Sequence, residues 1–167
     1  MLTVTLGDIS HLDTPVDAIV NAANAALIPG GGVDGALNRA AGPQLKQAMA
    51  AFGGTPTGTA VITPAFDLPA RYVIHAVGPR YRDGNHQEEQ LLYRAYEAVY
   101  QLAREKGVTH MAVPVLSAGI YGYPKKEAAR ILYEVATRSE NQAIATDVIV
   151  FEAFWLTIFA DLSQDKK

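Results

Sequence analysis

Cysteine is absent from the 167-residue chain. Disulfide frameworks, thiol nucleophiles and Cys-ligated zinc sites are therefore excluded, and the composition fits a reducing, cytoplasmic compartment. Charge of either sign is scarce: Lys and Arg total 14 and Asp and Glu 17, a net charge of −3. Such a balance is poorly suited to gripping duplex nucleic acid by its phosphates, although it leaves room for a pocket of local positive potential. Long hydrophobic stretches are also missing. The apolar run at residues 148–160, VIVFEAFWLTIFA, falls short of the about 20 residues that a membrane span requires. It is expected to be a buried strand followed by an apolar helix. The amino-terminal MLTVTLGD has neither a basic n-region nor an apolar h-region, so no secretory signal is expected. His11, His75, His86 and His110 stand apart, with no paired spacing for zinc, and no G-x-x-x-x-G-K-[ST] occurs. Neither a metal nor a cofactor is expected.

Hydrophobic residues make up 49% of the chain, enough for one folded domain with a full core. Its expected extent is residues 1–162, with a short, frayed polar tail at 163–167. Strands are expected at residues 2–6, 18–20, 59–63, 72–77, 111–116 and 147–151, with Pro114 an awkward member of its ladder. Leu37, Ala40, Ala41, Leu45, Ala48 and Met49 recur at helical spacing, and Pro43 signals a kink or a second helix. Leu92, Ala95, Tyr96, Val99, Leu102 and Ala103 form one apolar stripe of a long helix that ends near Gly107. Another helix starts at Pro124, and a last one runs to about Leu162. Alternating strands and helices predict an α/β sandwich with a largely parallel sheet, whose ligand sites lie in the loops beyond the strand C-termini.

Two such loops stand out. The first runs from Asn21 through Asn24 to Gly30-Gly31-Gly32-Val33-Asp34-Gly35, leaving a strand and entering a helix. Glycine permits positive φ and close approach of backbone N–H groups, and a helix start favours phosphate. An ordinary tight turn would use the same residues. The second loop, Ser117-Ala118-Gly119-Ile120-Tyr121-Gly122-Tyr123-Pro124, has the same character and adds two tyrosines. Together the pair can close on a diphosphate from two sides. The literal G-x-G-x-x-G at Gly30 lies too far beyond its strand for a nicotinamide site. It also lacks the acidic residue expected about 20 positions later. Val115 occupies the position where a nucleophile elbow at Ser117 requires glycine.

Single residues leave two readings each. Asp8 suits an Asx turn or an acceptor for an amine at the sheet edge. Asp34 suits a helix cap, but an acid beside an anion cradle points toward a ribose hydroxyl or a water. His75, inside Tyr72-Val73-Ile74-His75-Ala76-Val77, fits a structural histidine better than a catalyst.

In order along the chain, Gly7-Asp8-Ile9, Asp17-Ala18-Ile19-Val20-Asn21-Ala22-Ala23-Asn24, Gly30-Gly31-Gly32-Val33-Asp34-Gly35-Ala36, Arg39-Ala40-Ala41-Gly42, Val73-Ile74-His75-Ala76-Val77-Gly78-Pro79 and the Ser117–Pro124 stretch resemble a MacroD-type macrodomain. The resemblance covers residues 2–162. It implies a three-layer α/β/α sandwich around a mostly parallel mixed sheet, and a hydrolase acting on ADP-ribosyl esters of acidic side chains or on O-acetyl-ADP-ribose. Partners would be ADP-ribose and ADP-ribosylated proteins, with no membrane and no nucleic acid. By this resemblance Asp8 and the Ile9 backbone would hold adenine. Asn21, Gly30, Gly31, Gly32, Val33 and Gly35, with Ser117, Ala118, Gly119, Ile120 and Tyr121, would line the diphosphate and ribose. Asn24 and Asp34 would be catalytic at the distal ribose, and Phe151, or else Phe154, would lie against adenine. Pro29, Leu37-Asn38 and Ala118 depart from the family pattern, where Gly, Ile-His and Thr are usual. A non-catalytic ADP-ribose reader is the alternative.

Overall fold

The computed structural model describes residues 1–165. Its strands are β1 (Leu2–Leu6), β2 (Ala18–Ala22), β3 (Ala60–Pro64), β4 (Tyr72–Ala76), β5 (His110–Val113) and β6 (Ala145–Val150). Its helices are α1 (Gly32–Ala41), α2 (Pro43–Ala50), α3 (Glu88–Glu105), α4 (Lys125–Ala136) and α5 (Phe154–Asp165). The sheet order is β1-β6-β5-β2-β4-β3; β3 alone runs antiparallel to its neighbour, so the sheet is mixed and mostly parallel as expected.

The inner strands read as near-continuous apolar runs because helices cover both faces. On one face Ile19, Val73, Ala112 and Ile149 pack with Leu37, Leu45 and Met49 of α1 and α2. On the other, Val20, Ile74, Val113 and Val148 meet Tyr96, Val99, Ile131, Leu132, Trp155 and Phe159 of α3, α4 and α5. The period-2 alternation of each strand separates the two clusters.

The sequence punctuation acts as its chemistry requires. Gly42, at φ +88°, ends α1, and Pro43 opens α2 as a separate helix. β5 stops at Val113 rather than Leu116, because Pro114 has no N–H for the ladder. Gly107, at φ +69°, lets Val108 N–H reach back to Ala103 O (2.9 Å) and close α3. The final helix passes Leu162 and continues to Asp165, so the tail expected from residue 163 is helical through 165. Residues 166 and 167 lie outside the described residues. Among the described residues no helix is long and apolar enough to cross a membrane.

From β2 the chain runs outward to β3 and β4; after α3 it returns to β5 on the other side of β2. The β2/β5 boundary is thus the switch point where connections diverge and a crevice opens at the strand C-termini. The buried Tyr96 on α3 braces one wall of it. Its hydroxyl accepts Leu116 N–H (2.7 Å) and lies 3.4 Å from Pro114 O. Tyr96→Phe leaves that N–H without its partner and should cost about 1–3 kcal/mol. The expected outcome is a lower urea midpoint at unchanged slope.

Candidate active site

Asn21 sits near the end of β2, fully buried, and its side chain ties the strand to α1. Nδ2 donates to Asp34 Oδ1 at 2.9 Å and faces His75 Nδ1 at 3.0 Å. Asp34, in the first turn of α1, also accepts Asn38 Nδ2 on Oδ1 (3.0 Å) and Gly30 N–H on Oδ2 (3.3 Å). Burial raises its pKa, against the opposing pull of these donors. The residue as a whole is only 3% exposed. It is therefore an enclosed acceptor that folds the loop back on its helix.

Gly35 permits that fold-back, since a Cβ there would lie 2.4 Å from Gly30 O. Gly31 and Gly32 face open space, and α1 begins without a side-chain cap, so N–H groups at this helix start stay available. Val33 follows them, half-buried. Asn24 is half-buried beside Gly30. Its Nδ2 donates to Ile28 O (2.7 Å) and its Oδ1 accepts Ile28 N–H (3.2 Å). One N–H and one lone pair of the amide remain for another partner.

The β5–α4 loop forms the facing wall. Ser117 takes φ +67° and packs its Oγ where a Cβ on Gly78 would be 2.3 Å away. That hydroxyl is buried and has no partner among the described residues. Ala118 is buried, Gly119 and Ile120 project outward, and Ile120 is 94% exposed. Tyr121 is held from behind: Tyr81 N–H donates to its carbonyl (2.9 Å) and the Arg80 guanidinium lies 4.9 Å from its ring.

The segment after Arg80 is itself stapled by the buried Glu88. Its carboxylate accepts N–H groups of Arg82, Asp83, Gly84 and His86. Loss of solvent alone would raise its pKa, but the backbone donors hold it down at about 2. Asp83, His86 and Glu88 bring ligand-type atoms within 4.8 Å of one another, yet the Glu88 oxygens are already committed to backbone.

The third part lies where β1 and β6 end side by side, joined by Gly7 N–H to Val150 O at 2.9 Å. Asp8 makes the Asx turn: Oδ1 accepts Ser10 N–H (2.9 Å) and the Ser10 hydroxyl (2.6 Å), with His11 Nδ1 3.3 Å from Oδ2. The Ser10 bonds lower its pKa and keep it ionised. Ile9, next in the chain, is buried in the core. Phe151, directly after β6, is 66% exposed. Phe154 is partly engaged instead, with its ring 5.2 Å from Trp155 and 5.9 Å from Lys125 Nζ.

The strand order therefore sets these groups in a row: Asp8 and Ile9 after β1, Phe151 after β6, residues 117–121 after β5, and Asn21 at the end of β2 with residues 23–35 after it. Three strand spacings cover about 14 Å. No motif marks Asn38 or Thr63 as site residues, yet Asn38 bonds Asp34 and Thr63 meets His75, which fits a structural histidine by pattern. His75 lies directly opposite Asn21 in the β2/β4 register and is fully buried, with Nε2 3.0 Å from Thr63 Oγ1. The available signal was that Asn21 and His75 are polar residues inside otherwise apolar strands.

A row of this kind, with two glycine-bearing lips at a switch point, defines an α/β protein whose candidate ligand crevice lies at the strand C-termini. The family model described as Macro domain matches residues 20–132, and the chain belongs to the macrodomain family. It is 53% identical over 132 residues to an O-acetyl-ADP-ribose deacetylase of Escherichia fergusonii, covering 77% of this chain and 73% of that one. It is 44% identical over 159 residues to O-acetyl-ADP-ribose deacetylase 1 of Pantoea vagans, covering 91% and 92%. Among solved structures, the Oceanobacillus iheyensis macrodomain with ADP superposes with TM-score 0.87 at 34% identity, over 96% of this chain and 88% of that one. The Trypanosoma brucei macrodomain in complex with ADP-ribose gives 0.82 at 32%, over 96% and 68%.

Burial of His75 also has a consequence for stability. Desolvation lowers its pKa from 6.5 to about 4. Between those values the unfolded chain takes up a proton that the folded chain refuses. Stability is thus complete above pH 6.5 and declines as pH falls toward 4, by about 3 kcal/mol. Unfolding free energies at pH 7 and 4.5 should differ more for the native protein than for His75→Phe.

Proposed function

We propose that the chain is an ADP-ribose-binding hydrolase. It removes the acetyl group from O-acetyl-ADP-ribose, mono-ADP-ribose from acidic side chains of proteins, or both. The observation that carries this reading is the order of groups along the strand ends, which follows the order of parts in ADP-ribose. An ionised Asp8 with the Ile9 backbone suits an exocyclic amine, and the exposed Phe151 ring suits a base face. The free N–H groups near Gly31 and Gly32 and the facing Ser117–Tyr121 loop suit a diphosphate. Asn24, Gly30 and Asp34 then lie on the distal sugar side. The same reading keeps the cytoplasmic placement expected from the sequence.

In this scheme water attacks the ester carbonyl carbon. The bond from that carbon to the ribose oxygen breaks, and the water proton ends on the ribose oxygen, releasing the acid and ADP-ribose. Backbone N–H groups hold the diphosphate so that the ester and the water meet in one orientation. The remaining N–H and lone pair of Asn24 engage ribose hydroxyls. Asp34 acts as a positioning residue, drawing Gly30 N–H and the Asn21 and Asn38 amides into one arrangement. The chemistry calls on no metal.

Asn24→Ala and Asp34→Ala should each lower turnover by about 10²-fold. Calorimetric affinity for ADP-ribose should stay within about tenfold of the native protein. Acetate release and loss of label from an acidic-site ADP-ribosylated protein measure turnover. Full activity in both variants would overturn the assignment. The enclosure of Asp34 favours one other reading, a non-catalytic ADP-ribose reader; that reading predicts binding of ADP-ribose over NAD and AMP with no label lost.

A further inference from the structure

A row of buried polar side chains crosses the sheet beneath the site. It begins on the edge strand β3 and ends at the loop. Thr63 Oγ1 donates to Pro64 O at 3.0 Å, which leaves the oxygen as an acceptor toward His75 Nε2, 3.0 Å away. His75 Nε2 must then carry the proton, so Nδ1 presents a lone pair to Asn21 Nδ2 at 3.0 Å. The second hydrogen of Nδ2 goes to Asp34 Oδ1 at 2.9 Å, and Oδ2 receives Gly30 N–H. Every donor in the row is accounted for in one direction only.

Asn21 Oδ1, by contrast, is buried and has no partner among the described residues. A half-turn of the amide would set that oxygen against the Asp34 carboxylate and the His75 lone pair, two repulsive contacts in place of two hydrogen bonds. The orientation is therefore kept although it leaves an acceptor unsatisfied, a cost that packing alone does not call for. An apolar residue at position 75 would simply continue the apolar run of β4.

We infer that His75, braced by Thr63, is a positioning residue for the reaction: it locks the Asn21 amide with its N–H toward Asp34, and through Asp34 it sets the Gly30 side of the loop. The inference rests on the hydrolase reading of this site. The imidazole stays neutral as the Nε2–H tautomer. It acts by orientation and never touches the substrate.

The first test is two-bond 15N–1H correlation spectroscopy on the intact labelled protein, with and without ADP-ribose. Both spectra should show His75 as the Nε2–H tautomer. The Nδ1–H tautomer would overturn the inference whatever the turnover proves to be. The second test is kinetic. His75→Phe should lower kcat between about 10-fold and 100-fold, the scale of a misplacement near 1 Å, with KM and ADP-ribose affinity within about threefold. Thr63→Val should lower kcat in the same direction, and Thr63→Ser, which keeps the hydroxyl, should restore most of it, all measured well below either variant's melting temperature. A kcat for His75→Phe within about twofold of native would overturn the inference. If His75→Phe does not fold, the Thr63→Val and Thr63→Ser pair decides: equal turnover in the two overturns it. Activity retained in Asn24→Ala and Asp34→Ala would instead sink the hydrolase assignment of those residues. Loss in those two with native turnover in His75→Phe sinks only the present inference.

Discussion

The hydrogen bond from Asn21 Nδ2 to Asp34 Oδ1 joins the centre of the sheet to the first turn of α1, and the crevice takes its form from that link. A carboxylate removed from water is costly unless its oxygens are occupied. Here amide groups of Asn21 and Asn38 and the backbone N–H of Gly30 occupy them. The demand works in both directions. The acid needs the donors, and in meeting that need it draws Gly30 inward while Gly31 and Gly32 remain outside with free space around them. A strong interior interaction thus presents a weakly committed stretch of backbone to a ligand.

The opposite wall is built by a different device. The β5–α4 loop carries few side-chain bonds of its own and is braced from outside. Tyr96 takes Leu116 N–H, Gly78 makes room for Ser117, and Tyr81 with Arg80 backs Tyr121. Glu88 in turn gathers the backbone behind Arg80. Such bracing presents Ile120 and Gly119 at the surface. In the proposed function such preorganised backbone donors would lose little entropy on meeting a diphosphate.

The departures from the family pattern acquire meaning in this setting. Leu37 is buried against the core, where an aliphatic of similar size serves equally. Asn38 does more than fill space, because its amide reaches the same Asp34 oxygen that Asn21 holds. Ala118 turns a small side chain inward, and the absence of a hydroxyl there leaves the buried Ser117 Oγ as the polar group of that segment.

Strand and helix positions were legible from periodicity and from Gly and Pro, because those signals depend on backbone geometry that each residue carries with it. Pro43 and Pro114 show this, one starting a helix and the other ending a strand. The glycine loops and their place at strand ends were legible for the same reason. Whether Asp34 opens to solvent was not, since burial depends on what folds over a residue, and that cover comes from Asn21, Gly30 and Asn38 together. The row from Thr63 to Asp34 was equally invisible: its members lie in three strands and a helix start, and only the pairing register sets Asn21 opposite His75. Local conformation was thus written along the chain, whereas the direction of each buried hydrogen bond was decided by neighbours that only the folded sheet brings together.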